Sequence, residues 1–246
     1  MIVAIHQPNY LPWTGYFYKM ARADCFVLFD NAQYPKGSFA NRNRIKTASG
    51  VQMLTVPVRI SRGHRQLMNE IEVAMEHKWA PKHWATLKNC YHRAPFFKRY
   101  EPALEAIYKQ RHWASLAELN EALIMVLREA LGIVTPVIRA STLGIEGKVS
   151  NLSICLKLNA DGYLSGDGAE GYQDEDEFRR HGIAVTYTNF RHPASYQQLY
   201  GDFVSHLAII DLLFNCGPES MAIIYQSQGI SNPATLKKRP LLIDKK

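Results

Sequence analysis

Polar and aromatic side chains are concentrated in the segment HQPNYLPWTGY, which directly follows a short apolar run, IVAIH. His6 is a candidate catalytic base, because an imidazole ordinarily titrates near neutral pH. Four further residues are candidates for binding or stacking on a substrate: Gln7, Asn9, Tyr10 and Trp13. Two prolines fix the turn, and an ordinary connection would not need this composition. A site is therefore predicted here; the alternative is that His6 and Gln7 bind loop backbone and Trp13 packs.

A second polar segment, DNAQYPKGSFANRNRIK, runs from Asp30 to Lys46. Guanidinium and ammonium groups suit phosphate oxygens, so Arg42, Arg44 and Lys46 are predicted to hold phosphate. Asp30 is predicted to orient His6 or to bind an ammonium group. The other substrate-binding candidates in the segment are Gln33, Lys36, Asn41 and Asn43. The alternative is a solvated basic loop.

Two later segments complete the candidate site. SGDGAEGY offers Ser165, Gly166 and Gly168, where glycine lets a ligand approach the backbone. The chain has neither a GxGxxG nor a Walker pattern, so no standard dinucleotide or P-loop site is predicted. NFRHPASYQQLYGDF offers His192 as a second catalytic candidate, with a simple loop histidine as the alternative. Its substrate-binding candidates are Arg191, Tyr196 and Gln197.

Alternating apolar runs and amphipathic segments predict the elements that would position these residues. Residues 2–6 and 25–30 are typical of buried strands and flank a helical pattern at 13–23, which makes a parallel βαβ unit. Beyond residue 132, strand patterns (VTPVIRAS, DGYLSG, GIAVTYTNF) alternate with helical ones (KVSNLSICLKLNA, DEDEFRRHG, YGDFVSHLAIIDLLFN). This predicts a Rossmann-like, three-layer α/β fold with a mostly parallel sheet. Ligands bind such sheets at the carboxyl ends of the strands, where the candidate segments lie.

The middle of the chain, about 36–115, is predicted to be a helical, aromatic-rich insertion that caps the sheet. The segment NRNRIKTASGVQMLTVPV is expected to form a basic loop followed by a strand or hairpin, and KWAPKHWATLKNCYHRAPFFKRYEPALEAIYKQ is expected to be helical. Ser115 and Glu118 have capping-box spacing and start an amphipathic helix that ends at Gly132. Residues 1–246 are predicted to be one α/β domain, with 237–246 as a tail.

Composition narrows the choice of partner. The 246 residues carry a formal charge of +7, which favours an anionic partner. Four separate cysteines (Cys25, Cys90, Cys155 and Cys216) without a CxxC pair favour reduced thiols over disulfides or zinc, and no metal is predicted. No apolar run suits a signal peptide or a membrane span. A soluble cytoplasmic protein is expected.

Four blocks of the chain together resemble the WbqC-like protein family. They are IHQPNYLPWTGYFYKMARADCFVLFDNAQYPKGSFANRNRIK, KHWATLKNCYHRAPFF, LNADGYLSGDGAEGY and NFRHPASYQQLYGDFVSHLAIIDLLFNCG. Family members occur among bacterial O-antigen and other surface-polysaccharide genes, so the resemblance implies a step on a sugar or sugar nucleotide, such as attachment of glycine to an amino sugar. Motif membership, without established roles, carries over for His6, Gln7, Asn9, Tyr10, Trp13, Asp30, Asn41, Arg42, Asn43 and Arg44. The chain departs from the family at Ala208, where the IIDLLFN helix usually starts with a serine-like residue.

The expected function is therefore transfer of an acyl or aminoacyl group to the amino group of a nucleotide-linked amino sugar in surface-polysaccharide biosynthesis. The sequence requires no cofactor and does not identify the donor. The first βαβ unit is also similar to that of pantothenate-synthetase and nucleotidylyltransferase enzymes, which would bring in ATP. However, Trp13-Thr14-Gly15-Tyr16 stands where those enzymes carry His-x-Gly-His.

Non-catalytic binding of single-stranded nucleic acid is a third, disfavoured alternative, because no RNP, KH or helix-turn-helix signature occurs. It would use aromatic residues interleaved with basic ones: Trp79, Trp84, Tyr91, Phe96, Phe97, Lys82, Lys88, Arg93 and Lys98.

Overall fold

A five-stranded, fully parallel sheet lies at the centre of the fold. The structure is a computed structural model that describes residues 1–61, 66–110, 112–171 and 173–231. The strands are β1 (Ile2–His6), β2 (Cys25–Leu28), β3 (Arg42–Thr47), β4 (Gly50–Thr55), β5 (Val58–Arg59), β6 (Glu72–Val73), β7 (Val137–Arg139), β8 (Gly162–Ser165) and β9 (Ala184–Tyr187). The α-helices are α1 (Thr14–Arg22), α2 (Trp79–Tyr91), α3 (Phe97–Lys109), α4 (Leu116–Ala130), α5 (Asn151–Lys157), α6 (Glu175–Arg180), α7 (Ile209–Cys216) and α8 (Ser220–Gln226).

The sheet order β7-β2-β1-β8-β9 reverses the direction of winding between β1 and β8. In chain order these strands are the third, second, first, fourth and fifth of the sheet, which is the Rossmann arrangement. The last paired residues of β1 and β8 are Ala4 and Leu164. Beyond this pair the two strands are no longer joined, and a crevice opens at their carboxyl ends.

Alternating side chains of the strands supply two separate cores, one on each face of the sheet. Ala4 and Phe26 pack with α1, α2, α3, α4, α7 and α8 on one face. Val3, Ile5 and Val27 pack with α5 and α6 on the other. The predicted Rossmann-like, three-layer α/β fold with a mostly parallel sheet is thus confirmed.

The segment between β2 and β7 contains the aromatic-rich helices that the sequence predicts, as α2 and α3. The hairpin predicted within NRNRIKTASGVQMLTVPV is present, but the expected basic loop before it is not: residues 42–47 are strand β3 itself, paired antiparallel with β4 from Arg42 opposite Thr55 to Thr47 opposite Gly50. The pairing partner explains the difference, because the following apolar run folds back on the basic segment. The predicted tail, 237–246, lies outside the described residues.

Two helix boundaries show which local signals are reliable. Ser115 caps α4 by accepting a hydrogen bond from the Glu118 N–H at 3.2 Å, as its spacing predicts. Helix α7 begins at Ile209 and not near Tyr200, because Tyr200, Gly201 and His206 adopt left-handed backbone conformations that a helix cannot contain. None of the helices in the described ranges combines the length and apolar character needed to cross a bilayer.

Asn120, fully buried on α4, fixes the loop that follows β1. Its side-chain amide donates hydrogen bonds to the carbonyl oxygens of Pro8 at 2.9 Å and Ala40 at 2.7 Å. The polar loop after β1 and the entry to β3 are therefore held to the same helix.

We predict that Asn120→Ala lowers the free energy of unfolding by about 1–3 kcal/mol, because two buried carbonyl groups lose their donor. Urea denaturation measures the change. The exposed Glu129→Ala on the same helix is the control and should stay within about 0.5 kcal/mol. Equal effects of the two substitutions would contradict the assigned role of Asn120.

Candidate functional site

A cavity of about 830 Å³ opens where β1 and β8 separate. It lies beyond the carboxyl ends of β1, β8 and β9, and its lining includes His6, Ser165 and Thr188 from those ends. Helix α1 contributes Gly15, Tyr16 and Lys19. The volume suits a small-molecule ligand, and the position is the one that a reversal of strand order provides.

Aromatic rings form one wall of the cavity around His6. The imidazole packs edge-on against Tyr16, with ring centroids 4.8 Å apart, and against Trp13 at 5.5 Å. Phe190 closes over the start of α1, where a Cβ atom on residue 15 would lie only 2.7 Å from its ring. Gly15 therefore permits a close approach of loop and helix that no other residue allows.

His6 is held in one tautomer. Its Nδ1–H donates to the carbonyl oxygen of Gln7 at 3.0 Å, which leaves Nε2 as an acceptor. Burial, with the nearby Lys19 charge, lowers the pKa of His6 to about 3. The expectation that His6 titrates near neutral pH is therefore wrong, and the side chain is a neutral hydrogen-bonding group.

Lys19 is a buried amine in the cavity, with only 4% of its surface exposed. Its Nζ donates to the carbonyl oxygen of Ile5 at 2.7 Å, just beyond the last β1–β8 pair. Burial lowers the pKa of Lys19 to about 7, although Asp167 and Cys155 act in the opposite direction. Near neutral pH this amine can therefore exist in either protonation state.

Asp167 positions the loop that follows β9. Its Oδ1 accepts hydrogen bonds from the Thr188 hydroxyl at 2.9 Å and the Asn189 N–H at 2.7 Å, and its Oδ2 accepts from the Phe190 N–H at 2.9 Å. A carboxylate with three donors is held firmly. The SGDGAEGY segment thus acts partly through its aspartate, while Ser165, Gly166 and Gly168 line the cavity as predicted candidates.

His192 reaches the cavity from the same loop. Its Nδ1 lies 3.4 Å from the Thr14 hydroxyl at the start of α1, and its ring lies against that of His206, with centroids 3.8 Å apart. Burial, then His206 and then Arg44, lower the pKa of His192 to about 4. Two other basic side chains, His206 and Arg44, therefore lie close to His192 at one end of the cavity.

Several predicted site residues are hydrogen-bonded within the fold and do not face the cavity. Asp30 does not orient His6: it accepts hydrogen bonds from the N–H of Ser141 at 2.9 Å and its hydroxyl at 2.5 Å. Tyr10 is fully buried, and its hydroxyl lies 2.8 Å from His83 Nδ1 and 2.7 Å from the Tyr108 hydroxyl. It therefore cannot stack on a ligand in this conformation.

The three residues predicted to hold phosphate, Arg42, Arg44 and Lys46, also have different partners in the structure. Arg42 donates to the carbonyl of Gly37, and Lys46 is buried with its Nζ 3.1 Å from Gln198 Oε1. Arg44 lies near His192. Residues 42, 44 and 46 lie on one face of strand β3, but Arg42 and Lys46 are already hydrogen-bonded to other parts of the protein, so the three do not act together as a phosphate site in this structure.

Asn and Tyr side chains among the candidates also hold backbone or core groups. Asn41 and Asn43 donate to the carbonyls of Val56 and Leu11, and Tyr196 donates to the buried Asp211 carboxylate. The buried Asn9 and the exposed Gln33, Lys36, Arg191 and Gln197 do not line the cavity. The cavity therefore unites His6, Gln7, Trp13, Ser165, Gly166, Gly168 and His192 from the predicted set.

Sequence reasoning missed Lys19, Asp167 and Phe190. A signal for Lys19 did exist, because a single lysine stands within the apolar run YFYKMA, where Thr14 to Met20 are all buried. The contacts of Asp167 depend on a loop that follows the next strand, so no local pattern indicates them. Within the described ranges, no three His, Cys, Asp or Glu side chains converge as a metal site requires.

Comparison with known proteins shows which family the chain belongs to. The family model described as "WbqC-like protein family" matches residues 7–223. The chain belongs to the WbqC-like family. This WbqC-like protein is also 37% identical over 221 residues to "Uncharacterized protein Rv1507c" of Mycobacterium tuberculosis, covering 89% of this chain and 95% of that one. No solved structure matches it.

The lowered histidine pKa values predict how the stability of this WbqC-like protein depends on pH. Between about pH 6.5 and pH 4 the unfolded chain binds protons at His6 and His192 that the native state excludes. The free energy of unfolding should therefore fall as the pH is lowered through this range. His6→Gln should make the dependence shallower, as measured by urea denaturation at several pH values.

The exposed His181→Gln is the matched control and should leave the dependence unchanged. Curves for His6→Gln that run parallel to the unaltered protein would show that the His6 pKa is not lowered in the native state.

Proposed function

We propose that this protein is an enzyme of bacterial surface-polysaccharide biosynthesis. It transfers an acyl or aminoacyl group, such as glycyl, to the amino group of a nucleotide-linked amino sugar. The observation that carries the proposal is the pair of nitrogen bases, His6 and Lys19, in one cavity at the crevice between β1 and β8. Family membership supports the sugar context.

The reaction requires an acceptor amine without its proton. Lys19, whose pKa burial lowers to about 7, is suited to take that proton, because a general base works best when its pKa is near the working pH. The neutral acceptor amine then attacks the donor carbonyl, the new C–N bond forms, and the bond to the leaving group breaks. Lys19 thus takes the role that sequence reasoning gave to His6.

His6 has a different part in this scheme. With a pKa of about 3 it is too weak a base to hold a proton removed from an amine. Its Nε2 can accept a hydrogen bond from the acceptor N–H and so orient the nitrogen lone pair. The Ser165 hydroxyl lines the cavity and makes only a long hydrogen bond, to the Gly166 carbonyl at 3.4 Å. A rotation of the hydroxyl would let it donate to the donor carbonyl as negative charge develops there.

The rest of the cavity favours a flat or ring-shaped substrate. Trp13 and Phe190 offer apolar ring faces, and sugars and nucleobases both pack against such surfaces. Gln7, whose side-chain amide donates to the Gln33 carbonyl at 3.1 Å, keeps the loop after β1 in place. Ordered walls of this kind reduce the cost of binding.

An ATP-dependent, adenylate-forming reaction is a second candidate, and one observation favours it. His192 lies beside Thr14 at the start of α1, so an imidazole reaches this helix in space although the local sequence lacks one. Exchange of labelled pyrophosphate into ATP, dependent on an amino acid and independent of any sugar, would identify this reaction. Its absence alongside product formation from an activated donor would exclude it.

Nucleic-acid binding receives no support from the aromatic residues that suggested it. Trp84 and Phe97 are buried and stacked against each other, with ring centroids 6.1 Å apart, and Tyr91 is 1% exposed. Bases stack on exposed rings, so these side chains serve the core.

We predict that Lys19→Met lowers turnover about 10²–10⁴-fold, the usual contribution of a general base, and leaves substrate affinity within about threefold. The assay incubates the protein with nucleotide-linked amino sugars and either acyl-thioester donors or glycine with ATP, and it detects the amide product by mass spectrometry. In the unaltered protein, kcat/KM should rise as the pH increases through about 7, since only the neutral amine accepts a proton.

Lys157→Met, an exposed lysine on α5, is the control and should retain full turnover. Full turnover by Lys19→Met, with native circular dichroism, would contradict the role of Lys19. No product from any donor, with folded protein, would contradict the proposed function.

A further inference from the structure

Three basic side chains lie together at the end of the cavity that His192 lines, and they take no part in the proposed acyl transfer. We name Arg44, His192 and His206 the mouth cluster. The His192 and His206 rings lie with centroids 3.8 Å apart and planes inclined by 33°. Such close imidazoles disfavour each other's protonation, and a bound anion would favour their protonated forms.

The hydrogen bonds of both rings use only one nitrogen. Nδ1 of His192 lies 3.4 Å from the Thr14 hydroxyl, and Nδ1 of His206 lies 2.5 Å from the Ser205 hydroxyl. In the part of the chain that the structure describes, neither Nε2 has a hydrogen-bond partner. Two ring nitrogens are thus left to bind something else.

The hydrogen bonding of Arg44 is also incomplete. Its Nε is buried and has no hydrogen-bond partner among the described residues. Burying part of a guanidinium without an acceptor is unfavourable. Apart from burial, the groups that alter the pKa of His192 are His206 and Arg44, and both lower it.

The N-terminus of helix α1, beside the mouth cluster, also favours an anion. α1 begins at Thr14, its N-cap residue Trp13 supplies no side-chain hydrogen bond, and no acidic residue occurs in its first turn. The positive end of the helix dipole therefore faces the cluster without a built-in anion.

We infer that the mouth cluster binds the diphosphate of the substrate, and that Arg44, His192 and His206 act as its anion subsite. A diphosphate fits the cluster better than a single carboxylate, because its several oxygens can accept from the Arg44 guanidinium and from both imidazoles once the anion favours their protonated forms. The identity of the anion rests on the proposed function. His192 lines the same cavity as His6 and Lys19, so the diphosphate would lie at the mouth with the sugar amine directed inward.

The test measures binding of inorganic pyrophosphate by isothermal titration calorimetry, with no donor or sugar added. Arg44→Gln and His192→Gln should each weaken binding at least tenfold. Arg42→Gln is the matched control on the same strand: Arg42 donates to the Gly37 carbonyl and its substitution should change affinity by less than twofold. His206→Asn keeps a residue that tolerates the left-handed backbone at φ 61° and should also weaken binding. It provides the test if Arg44→Gln fails to fold.

Equal weakening by Arg42→Gln and Arg44→Gln, or no saturable pyrophosphate binding by the unaltered protein, would overturn the subsite. Failure of the subsite is distinguishable from failure of the proposed function. Pyrophosphate binding that depends on the mouth cluster, without product from any donor, would support the subsite and contradict the transferase. Product formation that pyrophosphate does not inhibit would support the transferase and contradict the subsite.

Discussion

The separation of β1 from β8 is the constraint on which the site depends. A parallel sheet that reverses its winding direction must send the chain to opposite faces on either side of the reversal. Pairing of the two strands ends at Ala4 and Leu164, and the Ile5 carbonyl that follows is bonded by the Lys19 amine. Topology thus creates both the crevice and the reason for a buried amine within it.

Electrostatics divides the cavity into two ends. At the inner end, burial disfavours the charged forms of His6 and Lys19, which leaves His6 neutral and lets Lys19 gain or lose a proton near pH 7. At the other end, Arg44 and His206 lie close to His192, and both lower its pKa. One end therefore suits proton transfer and the other suits an anion, which is the division that an anionic, amine-bearing substrate requires.

The sequence predicted the fold more completely than the site. Strand patterns, the Ser115 cap and the aromatic helices depend on neighbouring residues, so local periodicity reveals them. NRNRIK was misinterpreted because its pairing with β4 outweighs its basic composition. The site depends on long-range contacts, such as those of Asp167 with the loop from Thr188 to Phe190. Asp30, Tyr10 and Lys46 were chosen by residue type and position, but other parts of the chain already satisfy their polar groups.

The proposed chemistry depends on Lys19 being an amine of lowered pKa inside the cavity. The direct measurement is NMR titration of the protein labelled with ¹³C at lysine Cε, with Lys19→Met used to assign the Lys19 signal. The account predicts a Lys19 titration midpoint near pH 7, whereas ordinary lysines titrate near about 10.4. A Lys19 midpoint close to that ordinary value would contradict the account, because the amine would then be a charged anchor of the Ile5 carbonyl and not a base.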